Sequence, residues 1–150
     1  LDADSLNSFQ KKTKKLLKYL DKNKLITPHQ AEFHRLFPSI KTSLSNKEKV
    51  LKFLKVCKSN ILLKGNTTVI GSPNKIVINK HTSSELAVIG SGDVLVGIIT
   101  SLVGDKKMSL NEAASAGTWV HGDIAKRHGR GLISEDLVKG IPSALQRLKK

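Results

Sequence analysis

The sequence GSGDVLVG, from Gly90 to Gly97, constrains the fold more than any other stretch of the chain. Two glycines and Asp93 are followed by an apolar run that reaches Val103 without another charged residue. This pattern predicts a tight turn and then a helix over 92–103 that is buried on nearly all sides. Such a helix needs further layers of structure around it, which is typical of α/β domains.

Upstream of this stretch, short apolar runs alternate with amphipathic stretches. Helices are predicted over 5–20, over Phe33–Phe37, and after Ser45, which forms a capping box with Glu48. Strands are predicted at Leu25-Ile26, at Ile61–Leu63, and in a hairpin that joins Val69-Ile70 to Lys75–Asn79. The first four residues are expected to end a strand, which places Asp4 either at the ligand-binding edge of the sheet or in an Asx turn.

Downstream of the stretch, two further helical regions are predicted. Ser109 and Glu112 form a second capping box, which opens a helix that reaches about residue 127. Ser134 is predicted to cap a helix over Glu135–Lys139, and Pro142 to occupy the first turn of a separate last helix. The alternation of helices and buried strands along the chain predicts an α/β fold.

The chain of 150 residues is basic, with 26 Lys and Arg against 12 Asp and Glu, for a net charge of +14. Only four of the basic residues are Arg, the residue best suited to base and phosphate contacts. Many of the lysines in the first half of the chain fall on the polar faces of predicted helices, and no basic stripe studded with aromatic residues accompanies them. We interpret them as solvated helix faces, with attraction of anionic nucleotides and dedicated nucleic-acid binding as alternatives. No specific nucleic-acid partner is expected.

Several classes of protein are disfavoured by composition. A single cysteine, Cys57, excludes an internal disulfide framework and a cysteine-based zinc cluster, and it is expected to pack as a small hydrophobic residue. No apolar run approaches the ~20 residues that span a bilayer, and residues 1–20 lack a signal-peptide core, so a cytoplasmic protein without a membrane partner is expected. His34, His81 and His128 have no partner at metal spacing, so no metal ligand is predicted.

The glycine turn at the start of the predicted helix over 92–103 is a candidate site for anion binding and proton transfer. Unpaired amides at a helix start attract anions, so Gly90, Ser91 and Gly92 are predicted to form an anion hole. Asp93 would face the same place and could accept a proton from a hydroxyl that attacks phosphorus. The alternative is a plain glycine turn in which Asp93 is the N-cap.

Five segments resemble, in order, motifs of the carbohydrate-kinase-like family of ADP/ATP-dependent NAD(P)H-hydrate dehydratases, a branch of the ribokinase-like fold. They are LDADSLN at 1–7, ITPHQAEF at 26–33, LKGNTTVI at 63–70, GSGDVLVG at 90–97, and the stretch from Glu112 to Gly122 that ends in VHG. The resemblance implies a three-layer fold with a mostly parallel central sheet. Residues 1–150 would form a single portion, the C-terminal half, of that domain.

The resemblance also implies a reaction and its residues. These lyases phosphorylate the added hydroxyl of hydrated NADH or NADPH and then release phosphate, with ADP or ATP as co-substrate and Mg²⁺ expected. By position, Asp93 meets the hydroxyl and His29 contacts the hydrate, although His29 could instead be a turn histidine held by local hydrogen bonds. The residues implied to bind the adenine nucleotide are Lys64, Gly65, Asn66, Thr67, Thr68 and Gly92. His121 is interpreted as a satisfied core histidine.

Three departures from the family pattern leave alternatives open. Residues 79–90 lack the usual Gly, Pro and Thr-Gly elements, and Val88-Ile89 adds bulk there. Gln30-Ala31 replaces the usual Pro-Gly. The family's domain has another half, which supplies part of the hydrate pocket, so we expect this chain alone to be inactive and to associate with itself or with such a half. The alternatives are a small-molecule kinase of the same fold, acting on a vitamin precursor, or a catalytically inactive remnant that binds a nucleotide or a partner.

Overall fold

The computed structural model describes residues 1–148, apart from the side chain of Lys106. The chain divides into two units, Leu1–Ile78 and Asn79–Lys150. The first unit contains the helices α1 (Ala3–Asn7), α2 (Thr13–Tyr19), α3 (Gln30–Leu36) and α4 (Asn46–Val56), and the strands β1 (Leu25–Ile26), β2 (Asn60–Leu63), β3 (Thr68–Ser72) and β4 (Lys75–Asn79). The second contains a 3₁₀ turn (Ser84–Leu86) and the helices α5 (Ser91–Lys106), α6 (Leu110–His128) and α7 (Ser134–Leu148).

The sheet of the first unit has the order β1-β2-β3-β4. β1 runs parallel to β2, with Ile26 opposite Ile61, and β2 runs antiparallel to β3, with Leu63 opposite Val69. The predicted strands and hairpin are therefore confirmed, because short apolar runs separated by turn residues define them locally. This arrangement places residues 64–67 in the connection between β2 and β3.

The core of the first unit lies where α3 and α4 meet β2 and β3. Phe37 packs against Phe33 and Phe53, with 5.2 Å between ring centroids in both pairs. The capping box of Ser45 and Glu48 starts α4 as predicted and turns Phe53 inward. Burial of one such aromatic side chain contributes about 1.5–3 kcal/mol.

The prediction of one continuous helix over 5–20 is wrong. The chain forms α1 and α2, which are separated by a turn in which Lys11 has a positive φ of 60°. A tertiary contact fixes the second start, because the hydroxyl of Thr13 donates to the carbonyl of Leu36 at 2.6 Å. Local helical spacing carries no information about that contact.

The expected strand end at Leu1–Asp4 is also corrected. Only Leu1 pairs with the β1 region, since its carbonyl accepts from the amide of Thr27 at 3.1 Å. The helix α1 begins at Ala3, so Asp4 lies exposed in a helical turn and not at the sheet edge. Asp2 is the N-cap of α1.

The helices of the second unit pack through small residues. At Gly117 a Cβ would lie 2.8 Å from Ile99, and at Gly140 a Cβ would lie 2.5 Å from Ile124, so α6 approaches both α5 and α7 closely. The capping box of Ser109 starts α6 as predicted. These close approaches let α6 pack against both neighbours.

Two predictions for the second unit are corrected. The helix α5 buries Leu95, Ile98, Ile99 and Leu102 but leaves Gly97 and Thr100 exposed, so it is covered on one side and not all round. The helix α7 continues through Pro142, which lies exposed in its interior. Its opposite face, with the buried Leu137 and Ala144, provides packing that offsets the hydrogen bond lost at proline.

Cys57 ends α4 and is buried, as expected for a small hydrophobic residue. Burial raises the pKa of its thiol, which favours the uncharged form. Among the described helices, none combines the length and the apolar character that crossing a membrane requires.

Candidate functional site

The turn before α5 depends on Gly90. Its φ is +80°, a left-handed conformation that favours glycine, and a Cβ there would lie 2.8 Å from the hydroxyl oxygen of Ser134. The Gly90 carbonyl accepts from the amide of Val94 at 3.1 Å, which closes the first turn of the helix. The prediction that Ser134 caps the following helix is wrong. The Ser134 hydroxyl instead donates to the carbonyl of Ile89.

Two of the three residues of the predicted anion hole have other tasks. Gly90 is the N-cap, and the amide of Ser91 donates to the carbonyl of Val88 at 3.3 Å. The amides of Gly92 and Asp93 follow in the first turn, where a helix has no intrahelical acceptors for its amides. The anion-binding capacity of this turn therefore rests on Gly92 and Asp93 more than on Gly90 and Ser91.

His121 fastens the start of α5 to α6. Its Nε2 lies 3.0 Å from the carbonyl oxygen of Ser91 and 3.1 Å from the Ser91 hydroxyl oxygen. A carbonyl can only accept, so a hydrogen bond to it requires the His121 tautomer that carries the proton on Nε2. His121 is buried, and its interpretation as a satisfied core histidine is confirmed.

Asp93 lies exposed in the first turn of α5. The N-cap is Gly90, so the alternative in which Asp93 caps the helix is wrong. An ionised carboxylate that is not used as a cap can accept a proton from a hydroxyl placed against it.

The side chain of Ile89, in the loop before Gly90, does not pack into the turn. The side chain of Ile89 is 98% exposed. His81 stacks on Trp119, with 5.1 Å between the ring centroids, and its carbonyl lies where a Cβ on Gly122 would be 1.8 Å away. The bulk that the sequence places at Val88-Ile89 therefore does not crowd the turn through Ile89.

Asp123 lies close to this loop at His81. Its carboxylate lies 3.6 Å from Nε2 of His81 and accepts hydrogen bonds from Arg127 at 3.2 Å and Arg147 at 2.8 Å. Burial alone would raise the pKa of Asp123, but the hydrogen bonds and charges of the two arginines hold it below its ordinary value. Asp123 is a structural carboxylate held in its charged form.

Residues 65–67 border a cavity in the first unit. Its volume is about 580 Å³, and its lining is Gln30, Ser45, Asn46, Lys47, Gly65, Asn66, Thr67, Val69 and Ile78. Three of the five predicted nucleotide-binding residues of this segment, Gly65, Asn66 and Thr67, therefore face one open space. The lining joins apolar side chains with amides, two hydroxyls and one ammonium group, which suits a ligand that has both apolar and polar groups.

The other two residues of the segment have internal partners. The Nζ atom of Lys64 lies 2.9 Å from a carboxylate oxygen of Asp2, and that oxygen also accepts from the Thr27 hydroxyl at 2.8 Å. The hydroxyl of Thr68 donates to the carbonyl of Gly65 at 3.2 Å. The charge of Lys64 is thus balanced within the protein, and Lys47 is the cation that borders the cavity.

Sequence reasoning missed Lys47, Asn46 and Gln30. The capping box at Ser45 signals a helix start, and residues in that first turn could have been proposed as neighbours of a ligand. Only the folded chain shows that this start lies beside residues 65–67. Contacts between residues so far apart in sequence have no local signature.

His29 starts α3. Its Nδ1 accepts from the amides of Ala31 at 3.1 Å and Glu32 at 3.4 Å, and its Nε2 lies 3.5 Å from a carboxylate oxygen of Glu32. The local bonds agree with a turn histidine, while the side chain is half exposed on its other side. Within the described residues no group of three or more His, Cys, Asp or Glu could hold a metal ion.

Comparison with known proteins agrees with these observations. A family model for NAD(P)H-hydrate dehydratase matches residues 1–143. The ADP-dependent (S)-NAD(P)H-hydrate dehydratase of Neisseria meningitidis is 38% identical, over 83% of this chain and 43% of that protein. A bifunctional NAD(P)H-hydrate repair enzyme of Moorella thermoacetica is 33% identical, over all of this chain and 29% of its own length. The chain spans less than half the length of these curated relatives.

Solved structures show the same likeness. The ADP/ATP-dependent NAD(P)H-hydrate dehydratase of Bacillus subtilis, co-crystallised with ATP and Mg²⁺, has a TM-score of 0.69 at 27% identity, over 82% of this chain and 47% of that one. A ribokinase-like protein of Enterococcus faecalis has a TM-score of 0.81 at 18% identity, over 97% and 51%, and shows the fold alone. A pyrophosphate-dependent kinase of the ribokinase family has a TM-score of 0.52 at 25% identity, over 83% and 42%.

The predicted α/β fold of the ribokinase-like type is thus confirmed, and so is the resemblance read from the five segments. The family match extends from Leu1 almost to the end of α7 and includes both the cavity-lining residues 65–67 and the glycine turn at 90–93. The chain belongs to the NAD(P)H-hydrate dehydratase family.

Proposed function

We propose that this chain acts in ADP- or ATP-dependent dehydration of hydrated NADH and NADPH, a repair reaction of nicotinamide nucleotides. The observation that carries the proposal is Asp93, an exposed carboxylate in the first turn of α5, in a family-matching glycine motif. Its geometry suits a general base, because it lies exposed in the first turn of α5 and no cap uses it.

The proposed chemistry begins at the hydroxyl that hydration adds to the nicotinamide ring. Asp93 accepts the hydroxyl proton while the oxygen attacks the terminal phosphorus of the nucleotide. A new oxygen–phosphorus bond forms, and the bond to the nucleotide's bridging oxygen breaks, which leaves AMP when the donor is ADP. Loss of phosphate with a ring proton then restores the double bond of NADH or NADPH.

The nucleotide is proposed to contact residues 64–68 and the amide of Gly92. The cavity beside Gly65, Asn66 and Thr67 supports contacts with the base and ribose, because glycine permits close approach and amides can form directed hydrogen bonds. For Lys64 the support is weaker, since Asp2 balances its charge. Gly92 supports a phosphate contact through its amide at the helix start. His29 is proposed to contact the hydrate through its exposed side.

The direct test of nucleotide binding is calorimetric titration of the chain with ADP and with ATP. We expect measurable binding that weakens as salt is raised, because phosphate charge contributes to it. Added Mg²⁺ is expected to change the affinity through the phosphates. If neither nucleotide binds at low salt, the nucleotide assignment is wrong.

The activity is tested in a chimera in which residues 1–150 replace the matching part of the Neisseria meningitidis dehydratase. Hydrated NADH and ADP are supplied, and the return of NADH absorbance and the release of phosphate are followed. We expect both signals in equal amounts. A stable phosphoester without NADH would favour the alternative of a small-molecule kinase, which the pyrophosphate-dependent kinase likeness supports. Nucleotide binding without any product would favour the inactive alternative.

A further inference from the structure

Gln30 joins three separate parts of the first unit. It is the first residue of α3, and its side chain borders the cavity beside residues 65–67. Its Nε2 donates to the backbone carbonyl of Lys64 at 3.1 Å and to the side-chain oxygen of Asn46 at 3.0 Å. One amide group thus reaches both the nucleotide-binding segment and the start of α4.

Asn46 continues the connection to the far end of the segment. Its Nδ2 donates to the backbone carbonyl of Thr67 at 2.7 Å. The carbonyls of Lys64 and Thr67 bracket Gly65 and Asn66, so the two side-chain amides hold the segment at both ends. A Cβ on Gly65 would lie 2.9 Å from Nδ2 of Asn46 and 3.5 Å from Nε2 of Gln30, which shows how closely the backbone approaches them.

Lys49 fixes the orientation of the Gln30 amide. Lys49 is only 5% exposed, and its Nζ donates to Oε1 of Gln30 at 2.9 Å. An ammonium group can only donate, so the oxygen of Gln30 faces Lys49 and the nitrogen faces the segment. The buried charge also polarises the amide, which strengthens the hydrogen bonds that its nitrogen donates.

We propose that Gln30 is a positioning residue that holds residues 64–67 in the backbone conformation that receives the nucleotide. It acts directly on the Lys64 carbonyl and, by way of Asn46, on the Thr67 carbonyl. This inference rests on the proposed function and adds to it a residue that stands where the resembling family motif has proline. Proline has no side-chain donor, so a proline at this position could not make these hydrogen bonds.

The test compares the full chain with Gln30→Glu and Gln30→Met, and with Gln10→Ala as the matched control. Glutamate keeps an oxygen for Lys49 but loses the donor, whereas methionine keeps bulk and loses both. The control removes another half-buried amide, whose Nε2 donates to Asn7 at 3.0 Å away from the cavity. Two quantities are measured: amide hydrogen exchange of residues 65–68 without ligand, and the calorimetric affinity for ADP.

We expect exchange at residues 65–68 to rise about tenfold in both Gln30 variants and to stay unchanged in the control. The affinity for ADP should fall about threefold to tenfold in Gln30→Glu, the size expected for lost neutral hydrogen bonds. Parent-like exchange in Gln30→Glu would overturn the inference even if Gln30→Met is unstable. Faster exchange with unchanged ADP affinity would also overturn it, because the hold would then be structural only. Absence of ADP binding by the parent would instead count against the proposed function, and the exchange comparison would still decide whether Gln30 holds the segment.

Discussion

The segment at 64–68, which we propose binds the nucleotide, and the glycine turn at 90–93 are built in different ways. The segment is shaped by distant residues: Asp2 pairs with Lys64, and Gln30 and Asn46 hold two of its carbonyls. The turn is shaped mainly by its own backbone, with Gly90 in a left-handed conformation and the helix starting at the next residue. Residues that match the family's motifs can therefore differ in their availability to a ligand, since Lys64 has an internal partner and Asp93 lies exposed.

The largest expected effect is that of Asp93→Asn on turnover. The amide keeps the shape but cannot accept the proton, so we expect dehydration by the chimera to fall by about 10²–10⁴-fold. ADP affinity should stay within about threefold of the parent, because nucleotide binding is assigned to other residues. The return of NADH absorbance measures the first quantity and calorimetry the second. Near-normal turnover would remove Asp93 from the mechanism.

The next effect concerns the backbone of the turn. Gly90→Ala forces a left-handed conformation on a residue with a Cβ and brings that atom to 2.8 Å from the Ser134 hydroxyl oxygen. We expect a loss of at least about 1–2 kcal/mol in the free energy of unfolding, measured by urea denaturation. Gly97→Ala is the control, because no atom lies within 4 Å of its Cβ and alanine favours a helix by about 0.5–1 kcal/mol. A loss in the control as large as at Gly90 would contradict the account of the turn.

Lys64, in the segment, and Lys47, in α4 beside the cavity, are expected to respond differently to substitution. Lys64→Met leaves the mostly buried carboxylate of Asp2 without its ion-pair partner, so we expect stability to fall by about 1–3 kcal/mol. Lys47→Met removes an exposed cation that borders the cavity, so we expect weaker ADP binding with a smaller salt dependence and little change in stability. Denaturation and calorimetry of both variants separate the two roles. The reverse pattern would show that Lys64 serves the ligand and Lys47 does not.

The accuracy of the sequence predictions for these two regions depends on how far apart in sequence the interacting residues lie. The capping boxes at Ser45 and Ser109 and the glycine turn depend on residues within about four positions, so their local patterns predicted them. The break near Lys11, the pairing of Lys64 with Asp2 and the open side of α5 depend on residues brought together by folding. The exposed Asp93 could be predicted, but the hold of Gln30 on residues 64–67 could not.

The smallest expected effect is a loss of folding stability at low pH. The pKa of Asp123 is held below its ordinary value of 3.8, so its ionised form stabilises the fold. That contribution is fully present above the ordinary value and is lost as the pH falls through the lowered pKa of the folded state. The free energy of unfolding should therefore decline more steeply below about pH 4 in the parent than in Asp123→Asn. Equal slopes in the two proteins would show that the arginines do not stabilise this carboxylate.

The most direct test of the central claim is amide hydrogen exchange of the chain with and without saturating ADP. The account predicts slower exchange at Gly65, Asn66 and Thr67 and at Gly92, with no change in α7. It also predicts that Asp93→Asn shows the same protection, because that residue serves chemistry and not nucleotide binding. Protection confined to other parts of the chain, or none at an ADP concentration that calorimetry shows to be saturating, would contradict the account.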